Sequence, residues 1–249
     1  MNRPSQYDGF AADYHWLYSD YVLSGKAYLA EHDDVLREAG PAARILDCSC
    51  GIGTFPLGLA KLGYAVSGSD RSSGMIDQAN LAAAHAGLTV PFTRCAWQDL
   101  PSHFSDPFDL IFCLGNSIGH ASSGEEMLQS LQGMRAVLRR GGKLVMQSRN
   151  WERLREQRKG FTLYQWRERN GQRCLPIYVW NYPDRFEDTH TIDVLLVFDS
   201  GDKASIRSYP INYHPFRIEE LTDRLRSAGF PNIQINFTEN REDYLLIAS

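Results

Sequence analysis

Short strand-like segments alternate with amphipathic stretches along residues 44–150. The strand-like segments lie at 45–47, 65–70, 90–94, 109–114 and 143–148. Apolar positions at helical spacing predict helices over 54–62, from Ser72 or Ser73 to about His85, and over 125–139. Because strands alternate with helices, the pattern predicts an α/β fold with a doubly wound, Rossmann-like sheet.

The pattern changes after Asn150. Strand-like segments at 161–167, 177–180, 191–198 and 205–213 are separated by turn-forming residues at 170–171, 183–184 and 200–202. Short connections of this kind favour antiparallel pairing, so we expect a small antiparallel β cap inserted after strand five. A helix over 216–228 and a hairpin of 233–237 with 244–247 then complete a seven-stranded sheet.

These boundaries predict a single domain over residues 1–249. The aromatic-rich residues 7–39 are expected to form a helical N-terminal lid. The Rossmann-like core comprises 40–150 and 214–249, and the cap insertion comprises 151–213.

Composition and charge narrow the class of partner. Lys and Arg number 26 against 30 Asp and Glu, a net charge of −4, so no global basic field favours nucleic acid or an anionic membrane. No apolar run approaches the roughly 18 residues of a spanning helix, and the N-terminal residues lack the apolar core of a secretory signal. Five cysteines without a disulfide pattern favour a reducing compartment. We expect a cytoplasmic protein without a nucleic-acid or membrane partner, and the oligomeric state stays open.

The segment LDCSCGIGT at 46–54 ends the first strand and opens a helix. Gly51 and Gly53 allow the backbone to approach a ligand closely. Pro56 stands where a dinucleotide fingerprint requires a third glycine, and no Gly-Lys-Ser/Thr follows, so neither that fingerprint nor a P-loop is present. Cys48 and Cys50 have no two further ligands nearby, so no metal site is expected.

Asp70 closes the second predicted strand. In an open α/β sheet this position faces the crevice at the carboxyl ends of the strands, where a carboxylate can accept hydrogen bonds from both hydroxyls of a ribose. The alternative is that Asp70 only caps the next helix, a role for which Ser72 and Ser73 also qualify. The order of strand, glycine turn, helix, strand and acid favours a nucleoside site.

In combination these features resemble the cofactor motifs of class I S-adenosylmethionine-dependent methyltransferases. The resemblance covers about residues 40–150 and rests on DCSCGIG at 47–53, Asp70, Met75, Ala96-Trp97 and the turn RRGGKL at 139–144. It implies S-adenosyl-L-methionine as cofactor, with Leu114 over one face of the adenine. The cofactor-binding residues that it implies are Tyr14, Asp47, Ser49, Gly51, Asp70, Arg71, Met75, Ala96, Trp97 and Leu114.

Two further segments, CLGNSIGH at 113–120 and QSRNW at 147–151, are similar to the glycine and sarcosine N-methyltransferase branch. This likeness implies that Arg149 binds a substrate carboxylate. It also implies catalytic roles for Tyr18 and for Asn116, whose side-chain oxygen would face the acceptor amine. The alternative for Arg149 is a structural ion pair with Glu152 or Glu156.

His120 and Tyr213 complete the expected substrate-binding set, with Asn116 and Arg149. His120 either hydrogen-bonds the substrate or only ties down the loop after the fourth strand. Tyr213, rather than Tyr209, is expected to return from the cap to the pocket mouth.

The chain departs from the branch at two places. Residues 22–26, VLSGK, contain no arginine for the donor carboxylate, so either Lys26 replaces it or the contact is lost. Trp151 stands where the branch has tyrosine.

The expected function is methyl transfer to a small molecule, namely the amine of glycine, sarcosine or a related carboxylate. The alternatives are O- or C-methylation of another small metabolite, and a non-catalytic regulator that binds the donor.

Overall fold

The computed structural model describes residues 5–199, 201, 203–236 and 242–249. Within these residues the strands are β1 (Arg44–Asp47), β2 (Ala65–Asp70), β3 (Phe92–Arg94), β4 (Phe108–Cys113), β5 (Leu138–Arg149), β6 (Phe161–Leu163), β7 (Arg167–Arg169), β8 (Gln172–Asn181), β9 (His190–Asp199), β10 (Ala204–Tyr213), β11 (Ile233–Asn236) and β12 (Asp243–Ala248).

The helices pack on and between these strands. They are α1 (Asp20–Leu23), α2 (Lys26–Glu31), α3 (Asp33–Ala39), α4 (Thr54–Lys61), α5 (Ser73–Ala86), α6 (Leu100–His103), α7 (Gly124–Ala136), α8 (Trp151–Gln157) and α9 (Ile218–Ser227), with 3₁₀ turns at Ala11–Leu17, Trp97–Asp99 and Ser117–His120. The crossover helices α4, α5 and α7 lie where the pattern predicts them. Helix α7 ends at Ala136 rather than at Arg139 because the chain enters β5 at Leu138.

The main sheet has the strand order β11-β12-β5-β4-β1-β2-β3. The pairs within β3-β2-β1-β4-β5 are parallel, and β12 joins β5 in antiparallel orientation. This confirms the predicted doubly wound, seven-stranded sheet. The strand order reverses between β1 and β4, and in open α/β sheets ligands bind at the carboxyl ends of the strands at such a reversal.

The N-terminal region is a 3₁₀ turn and three short helices rather than one continuous helix. The Ser19 hydroxyl caps α1 by accepting a hydrogen bond from the Val22 amide, and Gly25 follows this helix with a φ of 80°. A Cβ at Gly25 would lie 2.9 Å from the Cα of Gly58. This glycine therefore permits the N-terminal segment to pack closely on α4.

The second sheet has the order β10-β9-β8-β6, and β7 also pairs with β8. Its strands are antiparallel, as predicted, and alternate residues of β9 are buried from His190 to Phe198. The segment expected as one strand over 161–167 is divided into β6 and β7. In the final hairpin β11 pairs with β12. The predicted strand end Phe237 and the turn residues Ser200 and Asp202 lie outside the described residues.

Cys95, Cys113 and Cys174 are buried as free thiols, as expected for core residues, and Cys48 and Cys50 are also buried and free. Among the helices of the described chain, none has the length and hydropathy that crossing a membrane requires.

Candidate active site

Three cavities meet at the carboxyl ends of β1, β2 and β4. We call them the nucleoside cavity, of about 320 Å³, the small cavity, of about 50 Å³, and the aromatic cavity, of about 400 Å³. Tyr14 and Gly115 line all three, so they mark the point where the cavities join. The nucleoside cavity gathers most of the residues that the resemblance implied for the cofactor: Tyr14, Ser49, Gly51, Asp70, Arg71, Met75, Ala96 and Trp97.

Asp70 faces the nucleoside cavity from the end of β2. Its Oδ2 accepts a hydrogen bond from the Gly51 amide at 3.0 Å, and its Oδ1 accepts one from the Ser72 amide at 2.8 Å. The capping hydroxyl of α5 belongs to Ser72, which accepts from the Met75 amide. Each Asp70 oxygen keeps a lone pair, so the carboxylate fits the two hydroxyls of a ribose. Burial raises the pKa of Asp70 to about 6, although the two backbone hydrogen bonds oppose this shift.

The remaining walls of the nucleoside cavity suit an adenine ring. Met75 is buried, and the Trp97 indole is held by a hydrogen bond from its Nε1 to the Cys48 carbonyl at 2.8 Å. Arg71 lies at the rim, where its Nη1 is 3.7 Å from Glu126 Oε1. Gly51 has a φ of 51°, and a Cβ there would lie 3.8 Å from the Tyr14 ring, inside the space that these residues enclose. The missing side chain therefore keeps room for a ligand.

Asp47 and Leu114 line the small cavity. Asp47 Oδ1 accepts a hydrogen bond from the Ser49 amide at 3.1 Å, and burial raises the pKa of Asp47 to about 7. Ser49 also accepts a hydrogen bond from the Leu114 amide at 3.1 Å. The structure thus places Leu114 beside Asp47, away from the adenine position that the resemblance implied for it. An ionised Asp47 fits the ammonium group of a methionine tail.

The aromatic cavity contains the residues expected at the acceptor except His120. Tyr18, Asn116, Arg149 and Tyr213 line it, and strands β9 and β10 supply an apolar wall of Ile192, Val194 and Ile211. The hydroxyls of Tyr14 and Tyr18 are 2.9 Å apart. Burial raises the pKa of both tyrosines, so both hydroxyls stay protonated at neutral pH.

Asn116 reaches the aromatic cavity through a strained turn. It has a φ of 66°, in the left-handed region that non-glycine residues rarely adopt. Its Oδ1 accepts hydrogen bonds from the Ser148 hydroxyl at 2.9 Å and from the Arg149 amide at 3.1 Å. Its Nδ2 is buried without a partner among the described residues. The free part of this side chain is therefore a donor, whereas the sequence-based expectation had its oxygen facing an amine.

Arg149 lies at the end of β5 with its guanidinium carbon 5.1 Å from the centre of the Trp180 ring. Its Nε is buried and lacks a hydrogen-bond partner. Within the described chain, no ion pair joins it to Glu152 or Glu156. Glu152 instead accepts hydrogen bonds from the Tyr244 hydroxyl and the Ile218 amide.

His120 lies in the nucleoside cavity wall and holds three segments together. Its Nε2 is 2.9 Å from the Tyr7 hydroxyl, and its Nδ1 is 3.0 Å from the Asn212 carbonyl oxygen. Burial lowers the pKa of His120 to about 4, so the ring is neutral. It also stacks on Tyr213. These contacts match the role of tying down a loop. Tyr209, in contrast, donates to Asp13 and stacks on Phe10.

Several cavity residues were not expected from the sequence. Tyr7, Tyr164 and Tyr178 line the aromatic cavity, and so does Arg167 of β7. Tyr178 lies two residues before the buried Trp180 on β8, so strand alternation could have placed it on the inner face. No comparable pattern marks the others, because their strands are three residues long or absent.

The comparisons with known proteins agree with this geometry. A family model described as a methyltransferase domain matches residues 45–142. A glycine/sarcosine N-methyltransferase from Aphanothece halophytica is 27% identical over 202 residues, which make up 80% of this chain and 69% of that protein. A tRNA 5-carboxymethoxyuridine methyltransferase from Escherichia coli (strain K12) is 37% identical over 117 residues, which make up 46% of this chain and 43% of that protein. The second match therefore spans less than half of that relative.

Solved structures show the same fold. A structure of an amino pentose methyltransferase from Micromonospora echinaspora with S-adenosylmethionine bound matches with a TM-score of 0.72 at 19% identity, over 96% of this chain and 95% of that one.

The sheet, the glycine turn and the acid after β2 have the form of a class I S-adenosylmethionine-dependent methyltransferase, and residues 45–142 match a methyltransferase domain. The matched domain and the relative from Aphanothece halophytica support a methyltransferase whose methyl donor is S-adenosylmethionine. When bound, the donor supplies a methyl group already activated on a sulfonium sulfur. The residues of the chain therefore have to hold donor and acceptor in line and exclude water.

Proposed function

We propose that this enzyme methylates the amine of a small carboxylate, namely glycine, sarcosine or a related molecule. The observation that carries the proposal is Arg149, a guanidinium at the aromatic cavity whose Nε is buried without a partner. Asp243 lies opposite Arg149 on β12 and supplies a negative charge, but the buried Nε still lacks a hydrogen-bond partner, which is costly. A guanidinium binds a carboxylate through two parallel hydrogen bonds. The relative from Aphanothece halophytica, named for glycine and sarcosine, supports this assignment.

The arrangement also accounts for the transfer step. With its carboxylate at Arg149 and Asn116 Nδ2, a small amino acid would direct its amine toward Tyr14 and Tyr18, where the three cavities join. The hydroxyl oxygens there can stabilise the ammonium that forms as the nitrogen–carbon bond is made and the sulfur–carbon bond breaks. No general base is needed for an amine that arrives neutral.

A second candidate is methylation of a carboxylate oxygen, and the orientation of Asn116 favours it. Its free Nδ2 donates toward an oxygen, and with Arg149 it would hold a carboxylate close to the joining point of the cavities. The relative named for 5-carboxymethoxyuridine, at 37% identity, points in the same direction. Product chemistry separates the two, because a methyl ester is cleaved by mild base and an N-methyl group is not.

The deciding experiment incubates the enzyme with methyl-labelled donor and glycine, sarcosine, dimethylglycine, a carboxylate without an amine, an amine without a carboxylate, and tRNA. We expect base-stable label on the amino carboxylates. Base-labile label on the amine-free carboxylate would establish the second candidate instead. Transfer to none of these, with donor binding intact, would favour a different acceptor or a regulatory protein.

Arg149→Met provides the residue-specific arm of this experiment. We expect KM for the amino carboxylate to rise about 100-fold or more, because a bidentate charged contact is lost. Arg140→Met, at an exposed position in the turn of β5, is the matched control and should leave KM unchanged. An unchanged KM in Arg149→Met would remove the carboxylate argument.

The segment 7–39 and the insertion 151–213 are proposed as lid and cap over this site, since both contribute residues to the aromatic cavity. The five free thiols support a reducing, cytoplasmic setting.

A further inference from the structure

We propose that Arg167 of β7 binds the carboxylate of the donor's methionine part. Arg167 thereby replaces the arginine that residues 22–26 lack. The inference rests on the identity of the donor and does not depend on which acceptor is methylated.

Arg167 is a partly buried cation at the aromatic cavity. It pairs in register with Cys174 of β8, which is fully buried, so its side chain lies on the inner face of the second sheet. Its Nε is buried and has no hydrogen-bond partner, and no ion pair of the described chain includes it. A guanidinium held in this way is set up to receive an anion.

The position of β7 places Arg167 beside the start of α1. Arg169, two residues along and on the same face, donates from its Nη2 to the Tyr18 carbonyl at 2.8 Å and to Asp20 Oδ1 at 2.8 Å. Ser19 and Val22 line the same cavity. The Arg167 end of the aromatic cavity is therefore the end formed by the N-terminal segment.

This end is continuous with the small cavity. Tyr18 and Tyr28 line both, and the small cavity contains Asp47. The ammonium and carboxylate of a methionine tail share one carbon, so a tail with its ammonium at Asp47 would place its carboxylate beside these tyrosines, on the side of the cavity that Arg167 lines. Asp47 then supplies a carboxylate for the ammonium of the tail, and Arg167 supplies a guanidinium for the carboxylate of the tail.

Arg149 lies at the other end of the cavity, so the two arginines do not compete for one anion. Arg149 packs on Trp180, and Arg167 is opposite Cys174 of the same strand. These two positions on β8 are six residues apart, roughly 20 Å at about 3.3 Å per residue. Arg167 is thereby available for the carboxylate of the donor, and Arg149 for the carboxylate of the acceptor.

Lys26, the other candidate for this contact, is exposed and lines none of the three cavities of the described chain. Its position at the start of α2 directs its side chain to solvent, where it cannot contact the carboxylate of the donor.

Calorimetric titration of two ligands tests the assignment. S-adenosylhomocysteine carries the amino acid tail, and 5′-methylthioadenosine lacks it. For Arg167→Met we expect an affinity for S-adenosylhomocysteine about 10-fold to 100-fold lower and an unchanged affinity for methylthioadenosine, because only the charged contact is lost. Arg167→Lys should recover part of the loss. Lys26→Met is the matched control and should not change the affinity for S-adenosylhomocysteine.

Equal affinity of Arg167→Met and wild type for S-adenosylhomocysteine would overturn the proposal, and so would equal losses for both ligands. A rise in acceptor KM without a change in donor affinity would assign Arg167 to the acceptor and also overturn it. If wild-type protein bound neither ligand, the donor identification itself would fail, which is a different result from any of these.

Discussion

Asp70 shows how a single residue can serve the fold and the ligand together. Its two oxygens accept backbone hydrogen bonds that join the glycine turn to the start of α5. The same carboxylate faces the nucleoside cavity. The two alternatives drawn from the sequence, helix start or ribose contact, are therefore compatible in one geometry.

The raised pKa of Asp70 predicts a pH dependence of donor binding. The carboxyl is ionised above about pH 6 and protonated below it, and a protonated carboxyl loses one of its acceptor positions. Affinity for S-adenosylhomocysteine should fall below pH 6 by up to about tenfold per pH unit. Asp70→Asn should bind at least about tenfold more weakly at pH 7.5, since it removes two charged hydrogen bonds to the ribose. It should lose the part of the pH dependence near pH 6 and keep the part near pH 7 that comes from Asp47.

Thermal melting of the donor-free protein controls for unfolding in that experiment. Because the folded pKa of Asp70 lies above its unfolded value, ionising this group costs stability as pH rises through about 4 to 6. Its contribution to stability and its contribution to donor affinity thus change in opposite directions with pH. Asp8 and Glu126 have lowered pKa values and reduce the stability of the whole protein at low pH. The melting temperature of wild type minus that of Asp70→Asn therefore isolates the contribution of Asp70, and a difference that falls together with donor affinity at low pH would contradict the assignment.

At the residue scale, the sequence predicted which side chains reach the site more reliably than it predicted how those side chains are oriented. Asp70 and Arg149 follow strand ends, and strand ends can be found from hydrophobic pattern. The direction of the Asn116 amide depends on the Arg149 backbone and the Ser148 hydroxyl on a neighbouring strand. Such partners are known only when the sheet is assembled.

At the scale of elements, the N-terminal segment depends on the close contact of Gly25 with α4. Tyr18 and Tyr28 lie on either side of this glycine, and both line the aromatic cavity. The packing of α2 against α4 therefore positions two of the tyrosines that surround the acceptor.

Two glycine substitutions test this packing. Gly25→Ala and Gly63→Ala both place a Cβ at a positive φ, of 80° and 87°. The Cβ at Gly25 would lie 2.9 Å from the Gly58 Cα, whereas the Cβ at Gly63 would have no neighbour within 4 Å. Urea unfolding should show Gly25→Ala less stable than Gly63→Ala by about 1–3 kcal/mol, the usual cost of overpacking. Acceptor KM should rise only in Gly25→Ala. Equal stability losses would show that the close approach is not required.

The elements themselves were predictable to different degrees. The alternation of strand-like and helical segments located β1, β2 and β4 within a few residues. The division of 161–167 into β6 and β7 was not predictable, because both strands are short and their pairing depends on β8. Arg167 was missed for the same reason.

At the scale of the whole molecule, the aromatic cavity forms where two sheets and the N-terminal segment meet. Asp8 Oδ1 accepts a hydrogen bond from the Ser72 hydroxyl, which ties this segment to the main sheet, and Arg207 pairs with Asp13, which ties it to the second sheet. Neither sheet alone encloses an acceptor. The net charge of −4 gives no hint of the charged groups in this cavity, which is lined by two arginines and by Glu31 and Asp243, since such local groups barely change the total.

A crystal structure of the protein with S-adenosylhomocysteine bound tests the central claim most directly. We predict the ribose hydroxyls on Asp70, the adenine beside Met75 and Trp97, and the amino acid tail running past Asp47 toward Arg167, with Arg149 left facing the acceptor space. A ligand bound elsewhere, or a ribose that makes no contact with Asp70, would contradict the account.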